Sequence, residues 1–327
     1  MDNHPISCHQ LGRFFHLDGK QFQQQYKHHI SDYKDWDQRE HADQWMLFKK
    51  NVGTHLSIDE TALSKDELYT IITNKAAKGL KGAIVAIVKG TQAETVIKAL
   101  LRLPKRLRNQ VQEVTLDMAA SMNLIVKRCF PNARRVIDRF HVQQLASEAV
   151  QEIRIKYRWE ELDRENAQIA LAKKQEQPFE PQPLSNGDSP KQLLARSRYL
   201  LFKNPSTWTD SQKQRAQLMF DRYPLLKKAY DLSMKLGDIF RHCTCKEQAF
   251  KRLALWYNQV EDAGIDSFRT VSKSIETHYI AILDYFNNRS TNASAESFNA
   301  KIKAFRASAR GVRDIKFFMF RLAKIYA

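Results

Sequence analysis

Three short runs rich in β-branched residues succeed one another after Thr54: His55 to Asp59 (HLSID), Leu68 to Thr73 (LYTIIT) and Gly82 to Lys89 (GAIVAIVK). Each has the length and composition of a strand, and the links are too short for a crossover helix, so the three predict an antiparallel meander. The pattern then alternates. Thr91 to Leu103 reads as a helix closed by Pro104, Val111 to Asp117 (VQEVTLD) as a fourth strand, Ala119 to Phe130 as a helix stopped by Pro131, and Arg134 to Asp138 (RRVID) as a fifth strand. The order βββαβαβ confines this part of the chain to an α/β fold built on a mixed sheet.

Beyond the fifth strand the texture changes. Residues 142–286 carry helical periodicity almost throughout, with expected helices at Lys191 to Phe202, Asp210 to Tyr223, Leu225 to Phe240, Lys246 to Asp262 and Ser267 to Phe286. Pro178, Pro181, Pro183, Gly187 and Pro190 break the run with a Pro-rich loop near 177–190. Before the sheet, residues 7–31 hold two short helical patterns around Leu17-Asp18-Gly19, a conceivable helix-turn-helix, and residues 32–44 read as a polar linker. The expected divisions are a small amino-terminal helical region at 1–50, the first part of a sheet core at 51–150, a helical insertion at 151–286, and the rest of the core with a basic terminal helix at 287–327.

Charge narrows the partners. A formal net charge of +17 and a pI near 9.7 call for a polyanion, nucleic acid ahead of an anionic membrane. The excess is concentrated at the carboxy-terminal end, where residues 289–327 hold nine Lys/Arg against two Asp/Glu. No run approaches the ~18 apolar residues of a membrane span. Cys8, Cys129, Cys243 and Cys245 form neither a disulfide framework nor a CxxC pair, which excludes a zinc module and predicts a reducing, cytoplasmic setting, associated with the nucleoid. Gly79, Gly82 and Gly90 surround Lys81 and Lys89 without the GxxxxGK[ST] spacing, so they predict hairpin turns and not a phosphate loop.

Two strands end in acid. The first runs through Leu56 and Ile58 into Asp59-Glu60, the fourth through Val114 and Leu116 into Asp117. If the strands are neighbours, the carboxylates lie side by side and need a cation between them. Far along the chain, TNASAESFNAKIKAF (Thr291 to Phe305) is an amphipathic helix with one acid. Glu296, Asn299 and Lys303 fall on one side, Phe298, Ile302 and Phe305 on the other, and Asn292 or Ser294 can cap its start. Asp59, Asp117 and Glu296 together would make a set of hard oxygen donors, suited to two Mg²⁺ or Mn²⁺ ions that activate water or a hydroxyl against a phosphodiester.

The words LSIDETAL, EVTLDMAASM, DRFHV and STNASAESFNAKIKAF, with FRLAKIY near the end, resemble the ISL3 group of bacterial insertion-sequence transposases, most closely its short ISAon-type members. The resemblance covers nearly the whole chain. It implies an RNase H-like core split by a helical insertion, with Asp59, Asp117 and Glu296 as a DDE triad holding the metal pair. The implied activity is hydrolysis at the transposon end to release a 3′-OH, then attack of that hydroxyl on target DNA. Asp138 and His141 match the family's DxxH word as auxiliary residues, and Asn292, Asn299, Lys301, Lys303, Arg306 and Arg310 are the candidate DNA contacts. Double-stranded DNA, a homo-oligomer on DNA and a separately encoded end-recognition protein are the expected partners, since longer relatives begin with a cysteine-bearing module that has no counterpart here. A nuclease that cuts without joining and an idle DNA-binding regulator are the alternatives.

Overall fold

The computed structural model describes residues 1–64, 67–309 and 311–327. The chain starts with two short helices, α1 (Cys8–Phe15) and α2 (Gly19–Gln25), and reaches a first strand, β1 (Trp45–Leu47). Then come β2 (His55–Ser64), β3 (Glu67–Asn74), β4 (Ile84–Lys89), α3 (Ala93–Leu100), α4 (Lys105–Asn109), β5 (Glu113–Leu116), α5 (Ala120–Cys129) and β6 (Arg134–Ile137). Seven helices succeed the last strand: α6 (Arg139–Lys174), α7 (Pro190–Arg196), α8 (Asp210–Arg222), α9 (Pro224–His242), α10 (Lys246–Ala263), α11 (Asp266–Thr277) and α12 (Tyr279–Asn288). The chain closes with α13 (Ala293–Ser308) and α14 (Ile315–Tyr326).

Two compact units result. One comprises Met1–Asp138 with Asn288–Ala327, the other Arg139–Asn287. In the first, a six-stranded mixed sheet has the order β1-β4-β3-β2-β5-β6. β2, β3 and β4 pair antiparallel, as the short connections predict, whereas β2–β5 and β5–β6 pair parallel because each link contains helix. β1 was not anticipated. Trp45–Leu47 pairs antiparallel with β4, at a position where three residues carry too little periodicity to betray a strand.

One face of the sheet is covered by α13 and α14. Tyr69, Ile71 and Ile87 from the strands meet Phe298, Ile302 and Phe305 from α13 and Phe318, Met319 and Leu322 from α14 in a single core. The expected split of α13 holds for its apolar side. At the edge of this core, Tyr26 and Tyr33 pack on Phe317 and Phe320 of α14, which ties the amino-terminal helices to the sheet unit. α1 and α2 cross closely through two glycines: a Cβ at Gly12 would stand 2.7 Å from the Leu17 carbonyl oxygen, and one at Gly19 2.6 Å from His9 Cα.

The second unit is all helix among its described residues. α6 packs on α7, α9 and α11, and Trp256 of α10, fully buried, donates its Nε1–H to the Leu232 carbonyl of α9 at 2.9 Å. Buried Glu161 of α6 accepts from the Tyr223 hydroxyl at 2.9 Å and pairs with Arg164, so its charge is compensated. Two expected helices are shorter than their periodicity suggested: 267–286 breaks at His278 into α11 and α12, and 191–202 ends in a 3₁₀ turn at Leu200–Phe202.

Candidate active site

Strand register decides which side chains share a face. β2 and β5 run parallel with Ser57 opposite Thr115, and β5 and β6 with Thr115 opposite Val136. Stepping two residues along each strand keeps the same face and the same level, so the register projects Asp59 of β2 and Asp117 and Asp138, one residue past the ends of β5 and β6, onto one face. Asp59 is not at the end of its strand as expected. β2 continues to Ser64 because Glu60 to Ala62 still pair with β3, but its pairing with β5 stops at Ser57. The half of β2 that carries Asp59 is therefore open on the side toward Asp117.

The helix that bears Glu296 lies on this face. Asn299 Nδ2 donates to Asp59 Oδ2 at 2.6 Å, and the Asn292 backbone N–H donates to Asp138 Oδ2 at 2.6 Å. Asn292, Glu296 and Asn299 keep the four- and three-residue steps of one helical stripe, so α13 is pinned to the β6 end before Glu296 and to β2 after it. Asp117 Oδ1 accepts the Ala119 N–H at 2.8 Å, a local turn that leaves its other oxygen available for a further contact. Among the described residues no three His, Cys, Asp or Glu side chains stand close enough to hold an ion between them. The donor chemistry is nonetheless that of a hard cation: Asp59, Asp117 and Glu296 offer carboxylate oxygens only.

Glu60 reports the field of these acids. Burial raises its pKa first, and the charges of Asp117 and Asp59 raise it further. Ionised Glu60 thus costs the fold stability that appears as pH climbs from the ordinary value of 4.5 through the raised one. Glu60→Gln is expected to raise the denaturant midpoint at pH 8, by roughly 0.5 kcal/mol in stability, and to have little effect at about pH 3, well below the ordinary value of 4.5, where the wild-type carboxyl is protonated in both states. Equal midpoints at both pH values would contradict the acidic field.

A second charged group sits on the same face. Lys75 Nζ donates to Thr115 Oγ1 at 2.8 Å and lies 3.8 Å from Glu113 Oε1, while Asn288 Nδ2 donates to Glu113 Oε2 at 3.2 Å. Burial lowers the Lys75 pKa, and Glu113 and Asp138 oppose that shift. Neither residue was singled out from the sequence. The signal was present for Glu113, a charged residue at an inward position of the strand VQEVTLD. Beside it, Lys75, Lys78, Ser290, Thr291, Ser294 and Ser297 line a cleft of ≈ 360 Å³ at the start of α13.

The expected DNA contacts divide. Asn292 and Asn299 are buried: Asn292 bonds Asp138 through its backbone N–H and donates its side-chain Nδ2 to the Ile58 carbonyl at 3.4 Å, and Asn299 is committed to Asp59, so they position α13 and do not present an amide to solvent. Asn299 lies on the side expected to carry Glu296 and Lys303, and its bond to Asp59 shows that part of that side faces protein. Lys301 Nζ donates to the Gly79 carbonyl at 3.0 Å, and Arg306 Nη1 to the Ala62 carbonyl at 3.3 Å, each fastening α13 to the hairpins. Lys303 is exposed. Arg310 lies outside the described residues. Asp138 is buried, and His141 sits on the first turn of α6 in the second unit. No described helix is long and apolar enough to cross a membrane.

The family model DDE_Tnp_ISL3, described as "Transposase", matches residues 56–322, from β2 into α14. The transposase for insertion sequence element IS1001 of Bordetella parapertussis is 24% identical over 271 residues, which cover 82% of this chain and 60% of that protein. The transposase for insertion sequence element IS1557 of Mycobacterium tuberculosis is 24% identical over 266 residues, 79% of this chain and 57% of that protein. The chain thus spans about 60% of the length of the curated relatives it matches. No solved structure matches it.

Proposed function

The chain belongs to the ISL3 family of transposases, and we propose that it catalyses 3′-end cleavage and strand transfer of an insertion sequence through Asp59, Asp117 and Glu296. The observation that carries this reading is the pairing of Asp59 with the helix of Glu296 through Asn299, next to Asp117 just past the end of β5. We take the sheet to be an RNase H-like core split by the helical unit. The order β4-β3-β2-β5-β6, antiparallel then parallel, supports that reading.

Asp59, Asp117 and Glu296 are the residues that would hold Mg²⁺ or Mn²⁺. Two such ions, when bound, supply a nucleophilic oxygen and stabilise the leaving oxygen of the phosphodiester. The chain's own part is positional. Asn299 donates to Asp59, the Asn292 N–H at the start of α13 donates to Asp138, and both would hold Glu296 near the open half of β2. Lys303, with Arg310 as a further candidate, would steer the DNA backbone, in keeping with the net charge of +17. His141 is proposed as an auxiliary group, and a homo-oligomer and a separately encoded end-recognition protein are proposed as partners.

The test is a strand-transfer assay with precleaved element ends, the purified chain and Mg²⁺ or Mn²⁺. Joined product is expected, with binding that weakens with salt at a slope near about −0.9 per neutralised phosphate. Nicking without joining would favour the nuclease reading instead. A flat salt dependence would remove the electrostatic basis of both.

A further inference from the structure

A cavity of the sheet unit lies away from the acidic face. It has a volume of ≈ 550 Å³, within the range of small-molecule sites, and is walled by α1, α2 and the connection from α13 to α14. Its floor is aromatic, made by Phe305, Phe317 and Phe318. Its walls are cationic. Lys20, Lys27, Arg313 and Arg321 line it against one acid, Asp314, which is already held by Lys27 Nζ at 2.5 Å and caps the Phe317 N–H at 3.1 Å.

Arg321 is the feature that asks for a ligand. It is 3% exposed, and its Nη2 donates to the Met1 and Ile6 carbonyls at 2.9 and 3.2 Å. Its Nε has no hydrogen-bond partner among the described residues, and the carboxylate of Asp2 acts on it through its charge without a direct ion pair. A buried guanidinium with one unpaired N–H and no direct ion pair is costly to the fold, and an anion in the cavity it lines would offset that cost. The same group lies over the Phe305 ring at 5.4 Å, which joins the cationic wall to the aromatic floor. The ligand must therefore combine negative charge with a flat apolar body. Gln23 and Gln24 add amides that both donate and accept, as the edge of a base requires.

We infer that this cavity binds a nucleotide, its phosphate against Lys20, Arg313 and Arg321 and its base on the phenylalanine floor beside Gln23 and Gln24. The inference goes beyond the proposed transposition chemistry and does not depend on it. Two sources share the chemistry: a free nucleoside phosphate, or one nucleotide of a DNA strand.

Calorimetric titration of the full chain with ADP, adenosine, inorganic phosphate and a 5′-phosphorylated single-stranded trinucleotide tests it. ADP or the trinucleotide is expected to bind saturably, about tenfold or more tighter than adenosine or phosphate alone. The double variant Lys20→Ala/Arg313→Ala, both residues being exposed, is expected to weaken that binding by about tenfold or more with an unchanged melting temperature. Preference for ADP assigns the free nucleotide, preference for the trinucleotide the strand. The inference is overturned if neither binds saturably, if the double variant binds like wild type, or if phosphate alone binds as tightly. Asp117→Asn should retain full nucleotide binding, which keeps this outcome separate from that of the acidic site.

Discussion

Asp117→Asn is expected to leave the chain folded and bound to DNA while lowering the rate of metal-dependent nicking by about 10²–10³-fold or more. The substitution is nearly isosteric, and the amide oxygen can still accept the Ala119 N–H that Asp117 accepts at 2.8 Å, so the turn into α5 survives. What is lost is a charge. A carboxylate that neutralises a divalent ion cannot be replaced by a neutral amide without weakening that ion's hold. Asp59→Asn should behave in the same way, because its amide oxygen can still accept from Asn299. Asp138→Ala supplies the contrast. That carboxyl is buried and accepts the Asn292 N–H, so its removal should cost stability, about 1–3 kcal/mol, together with activity. Nicking assays and urea denaturation on the same three variants check the pattern. Nicking by Asp117→Asn at the wild-type rate would remove the acidic face as the site of reaction.

The contrast between Asp117 and Asp138 also marks how far the amino-acid order alone could be read. The meander of β2, β3 and β4 was legible because β-branched runs and short turns leave few alternatives. The alternation with helices then placed β5 and β6. Asp59 and Asp117 were legible as acids after apolar runs, but the continuation of β2 to Ser64 was not, since it depends on pairing with β3 and on no local signal. The partner of Asn299 was not legible for a related reason. A helical wheel puts Asn299 with Glu296, and only the presence of Asp59 across the gap determines that this side of α13 faces protein. Lys75 was silent, and Glu113 signalled an inward charge without its partner, because an ion pair is a property of two segments brought together, and each segment taken alone reads as turn or strand. Long-range polar contacts carried what the periodicity could not.

Those contacts are only as good as the seating of α13, and that seating is expected to fail in Phe298→Ala. Phe298 is 1% exposed and meets the Tyr326 ring edge-on, with centroids 5.0 Å apart. A Cβ on Gly79 would lie 3.7 Å from its Cδ2, so the hairpin turn after β3 closes over the ring from the other side. The side chain is thus gripped between two elements with no solvent path by which the site could collapse. Truncation should cost about 3–5 kcal/mol, against about 0.5–1.5 kcal/mol for Ile302→Val one turn later. The loss reaches function because α13 carries Asn299 to Asp59 and bears Glu296 of the proposed site: a loosened helix releases both. Nicking by Phe298→Ala should therefore fall several-fold even at temperatures where circular dichroism shows the variant folded, while Ile302→Val keeps near wild-type activity. Equal costs for the two substitutions in urea would mean that α13 is held by its polar bonds and not by this core.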